Sequence, residues 1–158
     1  MKFHFLFILL QCSVNPLVAQ RLQIDWEENP SAEKLCIEEY KQESAVILKE
    51  RLQLEFSYTL EHEPTCTKRI HKKILVNDEK GIEMYNKVKF TYNVEYPIVL
   101  MKARTILPNG NKIQLKPEAF KELKEENGSR SKLFALEGVE KGSIIEYVIH
   151  MRYPISFF

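Results

Sequence analysis

The sequence predicts a mainly β protein, an antiparallel β-sandwich preceded by a short N-terminal helix. Three observations carry this. Apolar and polar residues alternate with period two along several segments. Turn residues punctuate those segments at regular intervals. One early segment alone follows the helical period. Of the 158 residues, 44% are hydrophobic and 28% charged, which suits a single soluble globular domain. With only 5 Gly and 7 Pro, no low-complexity linker is expected.

Taken in order, residues 1–20 read as a secretory signal. Lys2 supplies the positive end, Phe3 to Leu10 the apolar core, and Ala19 the small residue near a cleavage point. That core falls short of the ~20 apolar residues a membrane span needs. Cleavage after Ala19 or Gln20 removes Cys12 and exports the mature chain, residues 21–158, to a periplasmic or extracellular space. Cys36 and Cys66 then sit in an oxidising compartment. Both a disulfide between them and two buried free thiols are open readings, because spacing does not fix the distance between the Cα atoms.

Asn29, Pro30 and Ser31 supply a helix start. Ala32, Leu35, Cys36 and Tyr40 follow on one face, with Glu33, Lys34, Glu38 and Lys41 on the other. The period then changes to two. Leu52, Leu54, Phe56 and Tyr58 alternate with Arg51, Gln53, Glu55 and Ser57, predicting a strand with one buried and one wet face. Residues 67–76 return, with Ile70, Ile74 and Val76 inward and Arg69, His71 and Lys73 outward. Residues 77–81 read as a turn. Val88, Phe90 and Tyr92 mark the next strand, and residues 99–107 another. Asn109-Gly110 turns the chain at low steric cost, and residues 111–116 come back with Ile113 and Leu115 inward. Residues 117–127 hold at most one helical turn, residues 133–136 form a short strand, and residues 138–142 turn. In the last strand Ile145, Tyr147, Ile149, Met151 and Tyr153 form a core face against Glu146, Val148, His150 and Arg152. About seven strands result. The apolar end, Ile155 to Phe158, reads as a domain truncated at its C-terminus.

The charge balance, 23 basic against 22 acidic residues, gives no electrostatic reason to expect a nucleic-acid partner. His62, His71 and His150 lack metal-ligand spacing and read as solvated side chains, so no metal site is expected. Cys66 lies near His62 and His71, but a hairpin offers no water-poor pocket for a nucleophile. No Gly-x-Ser-x-Gly elbow is present, and the pairs Glu38-Glu39 and Glu125-Glu126 read as solvated faces rather than converging acids. No Gly-rich phosphate loop occurs. The expectation is a non-enzyme with no catalytic, cofactor-binding or metal residues. The run from Lys68 to Lys73 is the one local cluster of charge. It fits either an acidic partner or lipid surface, or an exposed or edge strand guarded by lysines. Asn127-Gly128-Ser129 matches the glycosylation triplet, which is frequent by chance.

Four stretches carry a resemblance: Ala45 to Leu48, Arg69 to Ile74, Ala103-Arg104-Thr105-Ile106-Leu107-Pro108-Asn109-Gly110, and Gly138 to Tyr147. In this order, over residues 40–153, they resemble domain of unknown function 3857. That family is similar in layout to the region before transglutaminase-like domains in exported bacterial proteins. The resemblance implies a β-sandwich with no catalytic residues of its own, the Cys, His and Asp of the enzyme lying in the following domain. The implied role is an accessory or interaction domain whose partner is a transglutaminase-like domain, in cis or trans. The alternative is a free-standing extracytoplasmic module that binds a cell-envelope peptide or polysaccharide, with Tyr85, Tyr92 and Tyr96 as candidate contacts.

Overall fold

The computed structural model describes residues 39–155. The predicted helix over residues 29–40, the signal segment, Cys36 and the apolar end beyond Ile155 lie outside or at the margin of the described residues. Eight strands follow in order: β1 (Ala45–Tyr58), β2 (Pro64–Val76), β3 (Lys87–Tyr92), β4 (Ile98–Ile106), β5 (Lys112–Gln114), β6 (Lys121–Lys124), β7 (Arg130–Ala135) and β8 (Ser143–Pro154). One helix, α1 (Glu79–Tyr85), and a single 3-10 turn (Pro117–Ala119) interrupt them. Every pairing is antiparallel. Sheet A runs β1-β2-β8-β4-β5, and sheet B runs β3-β7-β6.

The core lies between the sheets, because period-two patterning puts alternate residues of sheet A on that side. Ile74, Val76, Ala103 and Ile145 of sheet A meet Phe134 of β7, with Leu115 and Leu136 closing the cluster. Phe134 anchors it, 5.0 Å from the Phe120 ring and edge-on to Tyr147 at 5.9 Å. The inward set read for β8 is borne out, with Ile145 and Ile149 fully enclosed. The Asn109-Gly110 turn is also borne out, Gly110 adopting φ +85° and donating its N–H to Leu107.

Four expectations are corrected. Residues 77–81 open a helix: Asp78 caps α1 by accepting from the Gly81 N–H at 2.8 Å, while Ser44 donates to its other oxygen. These bonds, the Gly81 N–H first, hold the Asp78 carboxyl below its usual range. Residues 121–124 form a strand, paired to β7, although Lys-Glu-Leu-Lys carries no strand pattern. The strand predicted over residues 51–58 begins earlier, at Ala45, and carries a bulge between Ile47 and Lys49. Finally, the apolar set of β1 is not buried. Leu52, Leu54, Phe56 and Tyr58 are 53–70% exposed, because sheet B is narrower than sheet A and backs only part of it.

Candidate functional site

Sheet A has two unlike faces, and each presents a feature to explain. The face toward sheet B continues past the core into an uncovered apolar stripe. Register sets it out: Leu52 lies beside Ile70, Leu54 beside Lys68 and Phe56 beside Cys66. Leu60, 95% exposed, extends it into the β1–β2 turn. β1 is also the edge of the sheet, so its outer N–H and C=O groups have no strand partner among the described residues. Long edge strands with bare apolar side chains are ordinarily blunted or covered in folded proteins, so this one stands out.

The opposite face carries a buried ionic network. Lys73, Glu146 and Arg104 lie side by side on β2, β8 and β4. Glu146 is fully enclosed. Its Oε2 accepts from Arg104 Nε at 2.6 Å, and its Oε1 accepts from His71 Nε2 at 2.7 Å. Lys73 Nζ stands 4.0 Å from the same Oε1. Burial alone pushes the Glu146 carboxyl up. The hydrogen bonds from His71 and Arg104 and the positive charges of Arg104 and Lys73 outweigh it, and the group sits below its usual range. Glu146 is therefore a carboxylate, and His71 Nε2 carries the hydrogen between them.

His150 stands two residues-pairs further along, opposite Arg69. It is 7% exposed, and its Nδ1 finds no hydrogen-bond partner among the described residues. Burial pushes the imidazole below its usual range and the Arg69 charge pushes it further, with Glu55 opposing. The solvated reading of His71 and His150 is thus corrected: both are buried, at 9% and 7% exposure. For a histidine depressed in the folded state, the unfolded chain binds more protons between the two pKa values. Its stabilising contribution is then complete above the unfolded value near 6.5 and is lost as pH falls through that value toward the folded one. The urea midpoint is expected to fall from pH 7 to pH 5, with a shallower fall in His150→Leu. Equal slopes in the two proteins would show that His150 does not contribute.

The other sequence-derived candidates scatter. Lys68 to Lys73 is no edge: β2 lies between β1 and β8. Its residues divide between the faces, and Lys72 pairs with Glu50 at 3.2 Å on the side away from Lys73. Cys66 is a buried free thiol, next to Phe56 and Tyr153 in register, while His62 sits in the exposed β1–β2 turn at φ 62°. Tyr85 packs on the core, Tyr92 donates to Glu122 and Tyr96 stacks on Tyr153, so each of the three is engaged separately. Asn127 closes a local turn with Ser129. Among the described residues, no three His, Cys, Asp or Glu side chains gather as metal ligands, and no helix is long and apolar enough to cross a membrane. Glu146 and Arg104 escaped the sequence reading, though a single acid amid cations on three neighbouring strands was the available signal.

The described residues thus form a two-layer antiparallel sandwich with a buried ion network and an open apolar edge. The chain belongs to the family described as a domain of unknown function with solved structure, DUF3857, which it matches over residues 62–157. Among solved structures it is similar to a candidate protease from Parabacteroides distasonis ATCC 8503, at 12% identity and a TM-score of 0.56. The match covers 73% of this chain and 24% of that one, so this chain spans about a quarter of its solved relative. At that identity the likeness is one of fold. No curated protein matches at a significant level.

Proposed function

We propose that this domain is a non-catalytic accessory module of an exported transglutaminase-like protein. It packs against the enzyme domain through the apolar stripe of β1. The observation that carries this reading is the row Leu52, Leu54, Phe56 and Tyr58, exposed on the same sheet face whose other half forms the core. A packed layer that stops short leaves a surface for another layer, and burying it yields roughly 25 cal/mol per Å² of apolar area. The match of this fold to one quarter of a longer candidate protease is consistent with a module in a larger protein.

The test adds the transglutaminase-like domain of the same organism to the exported chain and follows amide hydrogen exchange. Slowed exchange over residues 51–60, lost in a Leu54→Lys, Phe56→Lys variant, is the expected outcome. Both side chains are exposed, so that variant leaves the fold intact. Unchanged exchange in the wild type would overturn the reading. The open edge of β1 also favours a second reading, a free-standing module that takes up a peptide by strand addition. Protection of β1 by extended peptides, without the enzyme domain, would favour that one.

A further inference from the structure

The edges of the two sheets differ in length. β5 ends sheet A with 3 residues, and β3 and β6 bound sheet B with 6 and 4. Edges that short offer little to a second chain. β1, the remaining edge, has 14 residues. Its first part is guarded. The bulge lies between Ile47 and Lys49, and Asn77, beside that end, holds the carbonyls of Tyr40 and Glu43. From Lys49 to Tyr58 the pairing with β2 runs without a shift. Every residue from Glu50 to Tyr58 is exposed, on both faces of the strand. This stretch presents about 30 Å of edge, with no strand partner among the described residues.

We propose that this edge pairs antiparallel with the same edge of a second copy, joining two five-stranded sheets about a two-fold axis perpendicular to them. The order of charges along the edge selects a second copy as the partner. Such an axis sets residues of the same face opposite one another. With Gln53 opposite its own copy, Arg51 of each chain meets Glu55 of the other, Leu52 meets Leu54, and no like charges oppose. Each of these pairs occurs twice, and opposite charges or apolar residues directly across from one another stabilise a strand pair. Neighbouring registers lose the match. Centring the pairing on Arg51 or on Glu55 sets like charges face to face, and centring it on Leu54 opposes no two charges. Centring it on Leu52 opposes Lys49 to Glu55, but replaces two Leu52–Leu54 pairs with a single Leu52 pair. Within its own sheet Glu55 holds Arg69 at 2.5 Å, and a carboxylate accepts from several donors at once. The pairing takes up backbone groups at the edge and leaves the sheet faces open, so the apolar stripes of two copies join into one. It goes beyond the accessory role and is tested without the enzyme domain.

Sedimentation equilibrium of the exported chain, across a range of concentrations at low salt, tests it. A monomer–dimer equilibrium is expected. A chain that stays monomeric throughout, or that grows past the dimer, overturns the proposal. Arg51→Glu and Glu55→Arg should each weaken the dimer at least about tenfold, because each sets like charges opposite one another twice. Mixed in equal amounts, the two variants should associate with each other, since each like-charge clash of the separate variants becomes an opposite-charge pair in the mixed dimer. Both positions are exposed, and circular dichroism shows whether each variant is folded. Gln53→Lys, which sets two like charges on the axis and touches no ion pair, should also dissociate the dimer and serves where either of the others fails to fold. A dimer that withstands any folded member of the three lies on another surface, and a mixture of the two folded charge variants that stays monomeric rules out this register; either result sinks the proposal.

Discussion

Glu146→Ala is expected to destabilise the domain by about 3–5 kcal/mol, the cost of removing one partner from a buried ion pair. The carboxylate is enclosed and holds hydrogen bonds from both Arg104 and His71. Without it, Arg104, Lys73 and His71 face one another across three strands with their central countercharge gone. Glu146→Gln keeps the volume and one acceptor but loses the charge, so an intermediate loss is expected. Equilibrium urea unfolding at pH 7 measures both. A loss below about 1 kcal/mol, the range of exposed ion pairs, would show that other acids can replace Glu146. The pH dependence follows the same logic with the opposite partner. The carboxyl is depressed in the folded state, so its contribution is present above the unfolded value near 4.5 and is lost as pH falls through the folded one. His150 therefore acts first as acid is added, and Glu146 later.

The exposed network on sheet B makes a useful contrast. Glu122 accepts from Tyr92 and pairs with Lys132 and Arg130, which lowers its carboxyl to about 2. Those groups are solvated, and such pairs contribute little to stability. A depressed carboxyl by itself does not distinguish a structural network from a surface one. The enclosure of Glu146 does.

The strands of sheet A were legible because their patterning was internally consistent. Ile145, Tyr147 and Ile149 alternate cleanly, and Asn109-Gly110 dictates its own turn. The helix α1 was hidden by its N-terminus: Asn77 to Gly81 has the composition of a turn, and Gly81 serves instead to let the helix approach the chain. A Cβ there would collide with the Ser44 carbonyl oxygen. β6 was hidden because an exposed strand needs no apolar residues, only a partner. The ionic network was misread for a more general reason. Alternation tells which residues share a face, and a polar face is ordinarily wet. Whether a second layer covers it depends on distant parts of the chain, which period-two patterning does not encode. The same limit produced the opposite error in β1, where apolar residues share a face that the narrow sheet B fails to reach.

Phe134→Ala is expected to cost about 3–5 kcal/mol, and Phe56→Ala no more than about 0.5 kcal/mol in the isolated chain. The residue type is the same and both side chains sit on strands facing the interlayer space. Phe134 is 2% exposed, wedged between Phe120 and Tyr147, and joins sheet B to sheet A. Its removal leaves a cavity that the flanking rings fill only in part. Phe56 is 70% exposed and leaves nothing behind. The pair therefore measures where the core ends. The ordering should change once the enzyme domain is present: Phe56→Ala should weaken docking by at least tenfold, as expected of an aromatic anchor in a desolvated contact, while leaving the unfolding of the isolated chain unchanged. Should Phe56→Ala instead destabilise the isolated chain as much as Phe134→Ala, the stripe is already covered within the chain. The free surface on which the accessory role depends would then not exist.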